Sequence, residues 1–337
     1  MSFCFVILNW NGYKLTTSAI ENVEKVEDGD FGIIVVDNNS QSDDRNGLID
    51  YAQQRGWTIY NEDDLISTEK SGGLGKIENV RILILANENY GYAKGNNLGL
   101  KLAYNLGYEW AIIMNNDVVL ETPVVRGLIG LALTDPRIAV IGPRVIDKYG
   151  KTQGPSRKRT IYSMFIYPLF YPILYPFEKV RYKKFRESVS SSLIFYPYSV
   201  VGCFMVVNLQ ILSEVNWFDE GTFLYYEEDI LSEKLIKKGY KVAYTERFYV
   251  KHVHEATTSK LGEKKKKMQL ESRIYYLKKY RNYGPIRLSL AKFGFLYSSF
   301  VLSPAVVKLK EVLSHAKRNH SGRRFGNKAV SDDTGNE

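Results

Sequence analysis

Four apolar runs in the first third of the chain each stop abruptly at an amide or a carboxylate. Residues 3–8 end at Asn9-Trp10-Asn11-Gly12, residues 33–36 at Asp37-Asn38-Asn39-Ser40, residues 81–86 at Asn87, and residues 110–114 at Asn115-Asn116-Asp117. Short, continuously apolar runs read as strands buried on both faces of a parallel sheet. Helical spacing fills the intervals at 14–26, 45–55 and 97–106. Such alternation implies βαβ units and an α/β fold, a mainly parallel sheet flanked by helices. Ligands of open α/β sheets collect at the carboxyl ends of the strands. One polar strand end is equally well an Asx turn bonding its own backbone. Four on one sheet edge make a site.

Later elements extend the pattern. Residues 58–60 read as a short strand, 61–79 as a polar exposed insertion, and 200–207 as a buried strand around Gly202 and Cys203. Glu227-Glu228-Asp229 opens a helix running to about Lys238 and capped by Gly239. Residues 243–244 and 248–250 are short strand-like pieces leading to Lys251-His252.

With 337 residues, 45% of them hydrophobic, the chain has room for one large domain plus an appendage. Its two cysteines, Cys4 and Cys203, lie in apolar runs and are expected to be inert buried thiols; no Cys spacing suits a metal. No charged leader precedes the first strand, so a signal peptide is not expected and the expected setting is cytoplasmic. Residues 257–318 hold fifteen Lys or Arg against three acidic residues, a local charge of +12 within a total of +9. That asymmetry suits an anionic surface, and equally a solvated face that binds nothing.

Two groups can carry chemistry. Acidic residues in a first helical turn complement the macrodipole, but three in a row exceed what capping needs. Their mutual repulsion raises at least one pKa and suits a base near neutral pH. His252, one of four histidines, is either a structural imidazole or, beside Asp117 and a diphosphate, part of a nest for Mg²⁺ or Mn²⁺.

Taken in order, the motifs become specific. They are Val-Ile-Leu-Asn-Trp-Asn-Gly (6–12), Val-Val-Asp-Asn-Asn-Ser (35–40), Glu-Asn-Tyr-Gly-Tyr-Ala-Lys-Gly-Asn-Asn (88–97), Met-Asn-Asn-Asp (114–117), Gly-Cys-Phe-Met (202–205), Trp-Phe-Asp-Glu (217–220), Tyr-Glu-Glu-Asp (226–229) and His252. Over about residues 3–258 the chain resembles the family 2 glycosyltransferases of the GT-A fold, in particular a rhamnosyltransferase-like branch. The resemblance implies inverting transfer from a dTDP- or UDP-sugar, dTDP-rhamnose among them. The implied acceptor is a hydroxyl of a glycan or polyprenyl-linked saccharide, in cell-surface polysaccharide synthesis. It places Asn9, Trp10, Asp37 and Asn38 at positions that hold the nucleotide. Lys94, Asn97, Gly202 and Trp217 fall where donor and substrate are bound. Asp117 matches the metal-binding acid, His252 its partner, Asp229 the general base, and Glu228 a neighbouring substrate contact. Asn115 stands where many members carry Asp, so Asn115 and Asn116 are expected on the nucleotide, with Asp117 the one carboxylate on the cation beside His252.

Other readings fit less of the chain. A dinucleotide-binding dehydrogenase would show Gly-x-Gly-x-x-Gly after the first strand. A nucleotidyltransferase would show a Gly-rich basic phosphate loop. A nucleic-acid-binding protein leaves the strand-end Asn/Asp pattern without a role, so no nucleic-acid partner is expected. An inactive nucleotide-sugar-binding protein, or a membrane-binding one, is the alternative; the presence of both Asp117 and Asp229 argues against inactivity.

The expected organisation is a catalytic domain over 1–256 with an insertion at about 155–190, a basic amphipathic helical region at 257–318, and a disordered tail at 319–337. Residues 160–177 are uncharged but carry Pro168, Pro172 and Pro176, which a bilayer span tolerates badly. Residues 293–307 are uncharged but too short for a comfortable span. Aromatic faces flanked by cations suit the membrane interface, here the inner face of the cytoplasmic membrane; a helical hairpin packed on the catalytic domain is the competing expectation.

Overall fold

The computed structural model describes residues 2–65, 79–253 and 262–306. Most of the expected insertion at 61–79, residues 307–318 of the basic region and the tail at 319–337 lie outside the described residues. The described residues form two compact units, one within Met1–Lys158 and Phe177–Tyr283, the other of Arg159–Pro176 with residues 284–306.

In the first unit the described residues form one ten-stranded sheet. The strands are β1 (Phe3–Asn9), β2 (Gly32–Asp37), β3 (Thr58–Asn61), β4 (Arg81–Leu85), β5 (Trp110–Asn115), β6 (Val118–Val119), β7 (Ile138–Asp147), β8 (Thr152–Gln153), β9 (Phe204–Asn208) and β10 (Lys241–His252). Their order is β3-β4-β2-β1-β5-β9-β7-β10-β6, with β8 paired to β7. The half from β3 to β5 is parallel throughout. Beyond β5 the sheet is mixed, because β9 runs antiparallel to both β5 and β7.

β1 sits centrally, and its alternate side chains enter two cores. Phe3, Phe5 and Ile7 join the core that takes in helices α1 (Tyr13–Val26), α2 (Ser42–Gln54) and α4 (Val125–Ala132). Cys4 and Val6 join the core shared with α3 (Gly91–Asn105). Burying a side chain such as Phe5 contributes roughly 1.5–3 kcal/mol. Register then fixes the site: Asn9 lies opposite Asp37, and Leu8 opposite Asn115.

Several elements differ from expectation. α3 starts at Gly91 rather than near Asn97. The two pieces expected at 243–250 are one strand, β10, with an irregularity between Tyr244 and Tyr249. The buried strand expected at 200–207 is confined to β9, running straight into helix α6 (Leu209–Glu214), after the long α5 (Tyr171–Ser190). The acidic helix is α7 (Glu227–Lys237), ended by Gly239 at φ +82°. Helix α8 (Gly262–Lys279), expected in the basic appendage, falls within the first unit.

The second unit consists of helical segments around Tyr162–Ile166, the start of α5, and α9 (Pro285–Tyr297) continued by a wider turn at Ser298–Leu302. Gly294 lies so near the Met164 carbonyl that a Cβ would come within 2.1 Å of it. Phe165 packs edge-on against Phe293 at 6.1 Å. Among the described residues, no helix is long and apolar enough to cross a membrane.

Candidate active site

The carboxyl ends of β1 and β2 are locked together by side chains. Asn9 Nδ2 donates to Asp37 Oδ1 and to Ser40 Oγ, both at 3.0 Å, and its Oδ1 accepts from Thr16 Oγ1 at 2.7 Å. Asp37 also accepts the Ser40 N–H and faces Arg45 Nε at 3.6 Å. Asn9 and Asp37 are both fully buried. Together with the bond from Asn11 N–H to Ser40 Oγ at 2.9 Å, they fix the loop that carries Trp10. Asn38 acts in the same way. It donates to Asn89 Oδ1 and Gly91 O and accepts from Tyr90 N, all at 3.0 Å, which ties β2 to the start of α3.

Glycine lets α3 begin here. Gly91 has φ +72°, and a Cβ on it would lie 2.0 Å from the Phe223 carbonyl oxygen. That carbonyl accepts the Tyr92 N–H at 2.9 Å, so the segment before α7 touches the first turn of α3. Lys94 sits in the same turn with its ammonium 3.4 Å from the centre of the Tyr90 ring.

On β5, the three residues of the strand end divide their roles. Asn115 is half-buried, and its N–H donates to the Cys203 carbonyl at 2.9 Å. Asn116 Nδ2 donates to Thr16 Oγ1 at 3.0 Å. Asp117 is nearly buried, and its Oδ1 lies 3.1 Å from His252 Nε2. The short β6 pairs antiparallel with the end of β10, setting His252 opposite Val118 and bringing the imidazole to Asp117.

Gln153 Oε1 lies 3.1 Å from His252 Nδ1; in the Nδ1–H tautomer that oxygen accepts from the ring N–H and Nε2 is left with its lone pair. Nε2 of a neutral imidazole then presents a lone pair to a carboxylate oxygen, and Asp117 Oδ1 has no hydrogen-bond partner. Two acceptors at that spacing need a proton or a cation between them. The pair therefore fits one face of a divalent-cation site with oxygen and imidazole ligands. Among the described residues no group of three or more His, Cys, Asp and Glu could hold a metal, so remaining ligands would come from substrate and water.

The acidic cluster approaches from α7. Glu228 lies over Gly202, where a Cβ would be 2.1 Å from its Oε1. Tyr92 Oη donates to the Gly202 carbonyl at 2.5 Å. Burial, then the charges of Asp117 and Glu228, push the Cys203 thiol well up, which leaves it inert and places both carboxylates around one residue. Burial likewise raises Cys4. Asp229 is turned elsewhere: it is buried, its Oδ1 accepts from Ser199 Oγ at 2.9 Å, and its charge acts on Tyr198 and Tyr276. Glu227 is buried, its Oε1 lacks a hydrogen-bond partner, and burial followed by the Glu228 charge raises its pKa.

The turn before these acids is strained. Tyr225 and Tyr226 have φ of +78° and +73°, left-handed values that cost on the order of 1–3 kcal/mol each in side-chain-bearing residues. Helix α8 holds them there. Tyr226 stacks on Tyr276 at 5.5 Å, Arg273 Nε donates to Tyr226 Oη at 2.8 Å, and Ser272 Oγ donates to the Leu224 carbonyl at 2.7 Å. Asp219 accepts from Tyr275 Oη at 2.7 Å, from Lys279 Nζ at 2.8 Å and from Tyr280 Oη, and these bonds hold its carboxyl well below the usual range against the opposing effect of burial.

Of the expected site residues, Asn115, Asn116, Asp117, His252, Gly202 and Glu228 come together, with Trp10 on the adjoining loop. Asn97 and Trp217 do not join them. Asn97 spends its whole amide on Phe218 N, Phe218 O and Glu220 Oε1. Trp217 packs edge-on against Tyr104 at 5.6 Å, and Tyr104 lies about 20 Å of helix beyond Gly91. Gln153 and Ser199 give no sequence signal, being isolated polar residues. Tyr92 lies inside a quoted motif, but its side-chain role is visible only in three dimensions.

Residues 4–192 match the family model described as glycosyl transferase family 2. The fold is similar to that of a mannosyltransferase from Pyrobaculum calidifontis in complex with GDP-Man and Mn²⁺, with a TM-score of 0.53 and 12% identity over 95% of this chain and 82% of the other. It is also similar to GalNAc-T7 with UDP, GalNAc and Mn²⁺, with a TM-score of 0.51 and 12% identity over 91% of this chain and 57% of the other. No curated protein sequence matches significantly.

Proposed function

This chain belongs to glycosyl transferase family 2, and we propose that it moves a sugar from a nucleotide-sugar donor to an acceptor hydroxyl with inversion at the anomeric carbon. The observation that carries this reading is the unpartnered Asp117 Oδ1 set against His252 Nε2 at the carboxyl edge of the sheet. Glu228 reaches the same strand end from the α7 side, over Gly202 and next to Cys203, whose carbonyl accepts the Asn115 N–H. The strand ends form the donor side, with Trp10, Asn115 and Asn116 toward the nucleotide. Asp117 and His252 would hold Mg²⁺ or Mn²⁺, which when bound supplies Lewis-acid stabilisation of the departing diphosphate. Both structural relatives were solved with Mn²⁺, in keeping with that choice.

On the acceptor side the geometry favours Glu228 over Asp229 as general base. Glu228 is half-buried over Gly202, whereas Asp229 accepts from Ser199 beneath the first turn of α7. Glu228 takes the hydroxyl proton as the acceptor oxygen bonds to the anomeric carbon and the bond from that carbon to the diphosphate breaks. One displacement inverts the centre, and no second nucleophile is needed. Asp229 then serves as a positioning residue.

The donor belongs to the dTDP- or UDP-sugar class, dTDP-rhamnose included, and the acceptor is a glycan or polyprenyl-linked saccharide in cell-surface polysaccharide synthesis. The reaction on this reading is cytoplasmic, at the inner face of the membrane. The test is transfer against a panel of dTDP-, UDP- and GDP-sugars with Glu228→Gln and Asp229→Asn in parallel. Glu228→Gln lowers kcat by about 10²–10⁴ while donor affinity holds; Asp229→Asn retains more activity. The opposite ranking would return the base to Asp229, and donor binding without transfer to any acceptor would favour a binding-only protein.

A further inference from the structure

The described residues of the second unit, Arg159–Pro176 and 284–306, combine three properties rarely found together in a small folded unit. They include Arg159, Arg287 and Lys292 but no acidic residue. Their interior is slight: Met164, Pro168, Ala291, Gly294 and Phe295 are the buried side. Their outer side exposes large apolar side chains, with Phe170 at 48%, Ile173 at 67%, Ile286 at 78%, Phe293 at 53%, Phe300 at 53% and Val301 at 53%. These six lie close together along two short helical stretches instead of standing singly, as most exposed apolar residues do.

We infer that this unit is a membrane-docking surface whose occupant is a bilayer carrying anionic phospholipid. Charge complementarity selects that occupant: among the described residues the face bears only cations, which suits a phosphate-rich headgroup layer. A second copy of the same face would bring cations against cations. Depth is set by the elements. No described helix is long and apolar enough to cross, so the apolar side chains insert only to the boundary between headgroups and acyl chains. Tyrosines reinforce that level: Tyr167, Tyr171 and Tyr175 follow one another along the chain, with ring centres 5.6 and 5.3 Å apart, and such amphipathic rings favour the headgroup layer. The assignment rests the membrane contact on these helical segments, the uncharged stretches at 160–177 and 293–306, and not on the lysines at 264–267 of the basic region. Helix α8, which contains them, has a separate task, clamping the turn before α7. It also stands apart from the proposed reaction, since docking needs neither donor nor acceptor.

The test is flotation of the full chain with vesicles of equal parts phosphatidylcholine and phosphatidylglycerol, against phosphatidylcholine alone. The wild-type chain floats with the mixed vesicles. Phe170→Ser with Phe293→Ser and Phe300→Ser weakens partitioning by about tenfold or more. Arg287→Glu with Lys292→Glu removes most of the preference for phosphatidylglycerol, while far-UV circular dichroism and nucleotide binding stay at wild-type levels in both variants. Failure of the wild-type chain to float with mixed vesicles, or flotation of the triple-Ser variant at wild-type strength, would overturn the assignment. So would light scattering showing a dimer that the triple-Ser variant converts to monomer, since the face would then belong to a second copy.

Discussion

Glu227 shows how much a single side chain at this site is asked to bear. Its carboxyl is buried with one oxygen unpartnered, beside the Glu228 charge, and both effects favour the protonated form. A folded-state pKa above the ordinary 4.5 means that the folded chain keeps a proton the unfolded chain releases. Stability from this group is therefore intact below the unfolded pKa and falls as pH rises above it, by at most about 1.4 kcal/mol per pH unit. Glu227→Gln removes the penalty. Thermal unfolding of the two proteins from about pH 5 to about pH 8 should show the variant gaining on the wild type as pH rises; a pH-independent difference would mean that Glu227 is ionised in the fold. Sequence reading found the acids because charge clusters are conspicuous. It could not rank them, because which carboxylate faces the crevice depends on Gly202 and Ser199, about 30 residues away in the chain. Asn9, Asp37 and Asn97 were legible as important positions, but their side-chain partners, set by residues distant in the chain, were not.

Elements were legible where a single rule governed them. Continuously apolar β1, β2 and β5 could be nothing but buried strands. α3 begins six residues before the helical spacing does, because Gly91 and Gly95, poor helix formers by propensity, lie in its first turns, with Gly99 further in. They are there for close approach: a Cβ would lie 2.7 Å from Leu8 Cδ1 at Gly95 and 2.6 Å from Val6 Cγ1 at Gly99. α8 was legible as a helix, but its task was not. Its lysines dominate the composition, yet Ser272, Tyr275, Tyr276 and Lys279 are what bind it to the segment before α7. Asp219 is the anchor of that contact. Asp219→Ala leaves Tyr275, Tyr280 and the Gly221 N–H without their acceptor, a loss of about 1–3 kcal/mol, measurable by urea denaturation. Because the same contact braces the left-handed Tyr225 and Tyr226, kcat should fall further than donor affinity. A variant of wild-type stability would show that α8 is only loosely applied to this segment.

At the scale of the whole molecule, charge is distributed against the proposed donor. The chain carries +9 overall, yet residues 257–318 alone carry +12, so the remainder is net acidic. Asp117 and Glu228 line the approach between β5 and α7, where a nucleotide diphosphate would arrive with its own negative charge. Two like charges about 4 Å apart repel by about 4 kcal/mol at an effective dielectric of 20. One lysine in the first turn of α3, already over the Tyr90 ring, does not offset several such contacts. Donor and divalent cation should therefore bind as a linked pair, and linkage demands reciprocity. Calorimetric titration of UDP or dTDP should give a dissociation constant at least about tenfold weaker in EDTA than with Mn²⁺, and the nucleotide should tighten Mn²⁺ by the same factor. Asp117→Asn should abolish the coupling in both directions while the protein stays folded. If the nucleotide bound equally well in EDTA, cations of the protein would have to do the neutralising, and the Asp117–His252 pair would be held by a proton instead. If the coupling survived Asp117→Asn, the cation would sit elsewhere in the crevice, with Glu228 the next oxygen able to hold it.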